Sequence, residues 1–140
     1  MQVADLLTEE LVTVDRDASL AAASRAMLAA GVGSVVVTDD GTPAGIVTTT
    51  DTLRAAVGAG ARLAEIPVTR AMSTPVKSVT PDASAETLAS EFERHGVKRL
   101  LVRDGLTVHG IVSVTDLAHA QGDIHRELVR SMDRRRDWGR

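Results

Sequence analysis

Apolar positions recur along this chain in two registers that follow one another twice. Leu11 to Val14 is a short apolar run that predicts a strand. Leu20, Ala23, Met27 and Ala30 then fall at helical spacing behind Ser19, an N-cap residue, and Gly31 closes the helix. Ser34 to Thr38 is rich in Val and predicts a second strand. Asp39-Asp40-Gly41 marks a hairpin, Ala44 to Thr48 the returning strand, and a second helix is expected to start near Asp51. The same order returns with Val76 to Val79, with Ala85, Leu88 and Phe92 between Ser84 and Gly96, with Arg99 to Arg103, Asp104-Gly105 and His109 to Ser113, and with a helix near Asp116.

The recurrence is a repeat with a fixed period. A shift of 65 residues lays Val3 on Val68 and runs without a gap to Asp51 on Asp116. Asp17-Ala18-Ser19 falls on Asp82-Ala83-Ser84, Gly31-Val32 on Gly96-Val97, and Gly45-Ile46-Val47 on Gly110-Ile111-Val112. Each copy reads β-α-β-β-α. One copy of about 50 residues has little core of its own. The expected fold is therefore α/β, two β-α-β-β-α repeats packed as one pseudo-twofold module. The expected division is 1–60 for the first repeat, 61–121 for the second, and 122–140 for a basic C-terminal helix or tail. Gly58, Gly60 and Pro67 mark the linker and are expected to break any helix through it.

Composition narrows the function. Of 140 residues, none is Cys or Tyr, and Phe92 and Trp138 are the aromatics. Without Cys there is no disulfide framework, thiolate zinc site or Cys nucleophile, which suits a cytoplasmic protein. The same count speaks against a platform that stacks bases on aromatic rings. No apolar run approaches the length of a membrane span, and the acidic start (Asp5, Glu9, Glu10) is not that of a signal peptide. Net charge is −3, unevenly spread: residues 1–67 hold four basic and nine acidic side chains, residues 68–140 twelve and ten. That balance speaks against a general nucleic-acid-binding field but permits a local anion site in the second half. In the tail, Ile124, Leu128 and Met132 share a helix face amid Arg126, Arg130, Arg134, Arg135, Arg136 and Arg140. A solvated helix packed on the module is the simpler reading, and a partner- or nucleic-acid-binding tail the other.

The motif with most chemistry is Gly45-Ile-Val-Thr-Thr-Thr-Asp51, repeated as Gly110-Ile-Val-Ser-Val-Thr-Asp116. It falls where a strand ends and a helix begins. Backbone N–H groups and the positive helix end suit phosphate there. Thr48, Thr50, Ser113 and Thr115 supply hydroxyls, and Asp51 and Asp116 can accept both hydroxyls of a ribose. The same spacing is also a capping box, with Asp in place of Glu, and this purely structural reading stands beside the first. Nothing argues for an enzyme. His95, His109, His119 and His125 show no metal-ligand spacing, no Gly-x-Ser-x-Gly elbow exists, and Asp51 with Asp116 would occupy equivalent environments rather than the unlike ones that acid/base work needs.

With both motifs in register inside matched units, residues 1–120 resemble a tandem pair of cystathionine-β-synthase (CBS) domains, the Bateman module. The resemblance implies a non-enzymatic regulatory or sensor module that binds adenosine nucleotides of the AMP, ADP and ATP class in the cleft between the repeats. It implies that Thr48, Thr50, Ser113 and Thr115 contact phosphate, that Asp51 and Asp116 hold the ribose, and that Ile46 and Ile111 line the base pocket. In a regulatory member of the family a basic pair at the place of Lys98-Arg99 reaches the phosphates; the first repeat has Gly33-Ser34 there. The nucleotide would be a regulatory ligand rather than a cofactor, and the protein a homodimer. The alternatives are a ligand-free dimerisation scaffold and a regulator whose basic tail contacts nucleic acid.

Overall fold

The computed structural model describes residues 1–7 and 11–120. These form two compact units, one made of residues 11–77 and the other of residues 1–7 with 78–120. The basic tail lies outside the described residues.

The first-repeat unit holds β1 (Thr13–Asp15), α1 (Leu20–Ala30), β2 (Ser34–Asp39), β3 (Thr42–Thr48) and α2 (Thr49–Ala59). Its sheet runs β1-β2-β3, with β1 parallel and β3 antiparallel to β2. The second-repeat unit repeats this with β4 (Ser78–Val79), α3 (Ala85–His95), β5 (Arg99–Asp104), β6 (Thr107–Ser113) and α4 (Val114–His119), in the order β4-β5-β6. The helix limits are those the turn chemistry dictates. Ser19 Oγ accepts the N–H of Ala22 at 3.2 Å and Ser84 Oγ that of Thr87 at 3.1 Å. Gly31 and Gly96 end α1 and α3 in the left-handed region, at φ 67° and 63°. In the first hairpin both loop residues, Asp40 and Gly41, have positive φ, as a two-residue turn between twisted strands requires.

Several boundaries differ from the sequence reading. β1 and β4 begin two residues later than their apolar runs. Parallel pairing sets their limits, Thr13 on Val36 through Asp15 on Thr38, and a backbone ladder is indifferent to the polarity of Asp15. α2 runs through Gly58 and stops at Gly60, whose φ is 61°. The helix at each repeat's end begins ahead of its Asp, which occupies the third helical position.

The core of the first-repeat unit gathers Leu20, Ala23 and Met27 of α1, Val35, Val37 and Val47 of the sheet, and Ile66 and Val68 from beyond α2. The second-repeat core gathers Leu88 and Phe92 of α3, Leu100, Val102 and Val112 of the sheet, Leu117 of α4, and Val3 and Leu6 from the start of the chain. The spatial units thus divide differently from the sequence repeats at their edges. Val68 N donates to Ala18 O at 2.9 Å, and Val3 N donates to Ala83 O at 2.8 Å. The segment leading into the second repeat completes the first, and the segment leading into the first completes the second. Both valines are fully buried, so each unit's core depends on a borrowed residue.

Candidate functional site

Each unit carries the same construction where its last strand turns into its last helix. In the first-repeat unit Thr48 ends β3 and caps α2. Thr48 Oγ1 accepts the N–H of Asp51 at 3.1 Å, and Asp51 Oδ2 accepts the N–H of Thr48 at 2.9 Å. In the second-repeat unit Ser113 Oγ accepts the N–H of Asp116 at 3.1 Å, and Asp116 Oδ2 accepts that of Ser113 at 2.8 Å. Both motifs are reciprocal capping boxes, so the structural reading holds. It also limits what a ligand can use. Thr49 N donates to Gly33 O at 3.2 Å and Val114 N to Lys98 O at 2.9 Å. Two of the first three helix amides are spent in each unit, which leaves the N–H of Thr50 and of Thr115 outside these bonds. The hydroxyls of Thr48 and Ser113 accept in the caps and keep a proton to donate. The caps use Oδ2 of each Asp.

The sheet register places the other residues. Ser34 pairs with Thr48 and Val36 with Ile46; Arg99 pairs with Ser113 and Leu101 with Ile111. The bonds from Thr49 N to Gly33 O and from Val114 N to Lys98 O close the ladder one residue further out. Ser34–Thr48 and Arg99–Ser113 are therefore close, non-hydrogen-bonded pairs, with Cβ atoms about 4.5–5.5 Å apart on one sheet face. That face is opposite to the one bearing Val35, Val37 and Val47, or Leu100, Val102 and Val112, which pack into the units' cores. Ile46, Thr48 and Ser34 share it in the first-repeat unit, and Ile111, Ser113 and Arg99 in the second.

The two constructions are not equivalent. Asp116 is buried at 9% exposure, whereas Asp51 is half-buried; Thr115 is half-buried, whereas Thr50 is exposed. Arg99 is half-buried opposite Ser113, and Lys98 is exposed beside it. In the first-repeat unit those positions hold Gly33 and a buried Ser34. Ser34 escaped the sequence reading as a site residue. The signal was present, since the 65-residue shift lays it on Arg99, but its direction follows only from the pairing with Thr48.

Gly45 has a separate role. A Cβ there would lie 2.7 Å from Met72 Sδ and 3.1 Å from Met72 Cβ. Met72 seats over the glycine while its neighbour Ser73 extends the sheet edge, exchanging backbone bonds with Ile46 at 2.9 and 3.2 Å. The first glycine of this motif is thus needed for close approach of the following segment. Among the described residues, no group of three or more His, Asp or Glu side chains is placed to hold a metal ion, and no helix is long and apolar enough to cross a membrane.

A model of the CBS domain family matches residues 3–58 and again residues 64–123. The chain belongs to the CBS domain family. A CBS domain-containing protein of Bacillus subtilis, YhcV, is 30% identical over 116 residues, covering 83% of this chain and 82% of that one. The CBS-domain containing protein ATU1752 of Agrobacterium tumefaciens is 31% identical, with a TM-score of 0.77 over 86% of this chain and 98% of the other. The CBS domain protein PAE2072 of Pyrobaculum aerophilum, solved in complex with AMP, is 22% identical, with a TM-score of 0.76 over 93% and 99% of the two chains. CBS-domain proteins are generally regulatory, non-catalytic modules, and this chain is a tandem pair of CBS domains.

Proposed function

We propose that this CBS pair is a non-enzymatic sensor of adenosine nucleotides, and that its tighter site is built on Arg99, Ser113, Thr115 and Asp116 of the second repeat. The observation that carries the reading is the cross-strand pair of Arg99 and Ser113 at the start of α4. The Arg99 side chain starts from the strand position opposite Ser113, and a guanidinium, a hydroxyl donor and the N–H of Thr115 are together the combination that takes a phosphate. Lys98 adds a second positive charge. Asp116 accepts the ribose hydroxyls, and Ile111 lies two residues before Ser113 on the same face, against the base. The first repeat offers Ile46, Thr48, Thr50 and Asp51 without a cation at positions 33 and 34. The AMP complex of the Pyrobaculum protein belongs to a chain that shares the fold; the ligand reading here rests on this chain's own residues. A thermal-shift panel of AMP, ADP, ATP, NAD and S-adenosylmethionine on the wild type and Arg99→Ala tests it. Phosphorylated adenosines should raise the wild-type Tm, and the shift should shrink in Arg99→Ala.

A second reading, a ligand-free scaffold held as a homodimer, is favoured by α2. Leu53 and Val57 stand one turn apart on that helix at 68% and 84% exposure. The homodimer is common to both readings, and homodimerisation through this face is part of the proposal.

A further inference from the structure

Ser34 is 3% exposed, and its Oγ is a buried polar atom without a hydrogen-bond partner among the described residues. Such atoms are exceptional in folded proteins and invite a reason. Two facts place this one at the first-repeat site. Ser34 is the cross-strand neighbour of Thr48, the cap of α2, on the face that also carries Ile46. And Ser34 stands where the second repeat has Arg99, with Gly33 where it has Lys98.

The two sites therefore differ in formal charge. Around the second cap, Lys98, Arg99 and Asp116 sum to +1; around the first, Asp51 stands with uncharged Gly33 and Ser34. A phosphate placed against the first cap would meet a carboxylate and hydroxyls with no counter-charge from these positions, and burying an unpaired charge is far costlier than burying a neutral polar group. A neutral donor or acceptor on a ligand would instead supply the partner that Ser34 Oγ lacks.

We infer that Ser34 determines the ligand class of the first-repeat site, pairing its hydroxyl with an uncharged hydrogen-bonding group, so that this site takes a nucleoside in preference to a nucleotide. The inference rests on the adenosine-binding reading of the two motifs. The hydroxyl is closed to water in the ligand-free chain, so side chains on this sheet face shift to admit the ligand group.

The test uses the full chain carrying Asp116→Ala, which disables the second site, titrated with adenosine and with AMP, with and without Ser34→Ala. Ser34→Ala is also melted alone without ligand. Adenosine should bind the Asp116→Ala chain more tightly than AMP, and adding Ser34→Ala should weaken adenosine about tenfold, the size of one lost hydrogen bond to a buried group. The ligand-free melting temperature should not fall, because the hydroxyl has no partner to lose. An adenosine affinity indifferent to Ser34, a preference for AMP at this site, or a Ser34→Ala chain that melts several degrees lower without ligand would each overturn the inference. If loss of the cap unfolds Asp116→Ala, Asp116→Asn replaces it, since an amide oxygen still accepts from Ser113 N. Failure of the wild type to bind any adenosine compound refutes the broader reading. Wild-type binding of AMP without adenosine binding to the Asp116 variant refutes only this inference.

Discussion

Arg99 and Ser113 face each other across β5 and β6 as a close pair, one strand step from the start of α4. Their equivalents, Ser34 and Thr48, do the same across β2 and β3. One backbone construction thus presents a cation and a hydroxyl in one unit and two hydroxyls in the other. The consequences for stability, ligand choice and assembly can each be measured.

The caps are structural whatever else they do. Thr48→Ala and Ser113→Ala each remove the acceptor for the N–H of Asp51 or Asp116 and should cost about 0.5–2 kcal/mol. Urea denaturation monitored by circular dichroism should show a lower midpoint at unchanged slope. An unaltered midpoint in both variants would mean that the caps do not hold the helix starts.

Gly45→Ala should be destabilising through overpacking by about 1–3 kcal/mol, since the added methyl meets Met72 at 2.7 Å. Combining it with Met72→Ala should be less damaging than the sum of the two single changes, because the closest contacts, with Sδ and Cγ, are then gone. Additive losses would place the cost of Gly45→Ala elsewhere.

Lys98 and Arg99 should set ligand charge preference. Phosphorylated adenosines should bind more tightly than S-adenosylmethionine, whose sulfonium is cationic, in calorimetric titrations at matched salt. Replacing both residues by Ala should narrow or reverse the preference. Tighter binding of S-adenosylmethionine to the wild type would contradict the phosphate assignment.

The exposed face of α2 should mediate self-association. Light scattering should report about twice the 14.8 kDa chain mass at micromolar concentration, and Val57→Lys should shift it toward the single-chain value. A mass of 14.8 kDa for the wild type, with and without nucleotide, would rule the dimer out.

What the sequence revealed follows the range of the interactions. Ser19, Gly31, Ser84 and Gly96 set helix limits through bonds within a turn, so local chemistry announced them. The 65-residue period lined up Val3 with Val68 but could not show that each packs on the repeat it does not precede, because that choice depends on where the chain travels in space. Asp51 and Asp116 were legible as cap or ligand residues, and the capping bonds now stand in both units. Ser34 was not legible as a site residue. Alone it is one more serine before a Val-rich strand, and only the β2–β3 register turns it toward Thr48. Met72 over Gly45 is likewise a contact between segments 27 residues apart with no motif of its own.

The central claim is that the second-repeat site binds an adenosine nucleotide more tightly than the first. Calorimetric titration of AMP into the wild type, Asp116→Ala and Asp51→Ala tests it most directly, because both substitutions remove the same capping bond, and a ligand-free melt of each variant separates loss of binding from loss of fold. One hydrogen bond to a charged group in place of a neutral one is a difference of about 1.4 kcal/mol, or roughly tenfold in affinity. The wild type should show a tight phase that Asp116→Ala abolishes and Asp51→Ala leaves largely intact. A tight phase lost in Asp51→Ala and kept in Asp116→Ala would contradict the assignment.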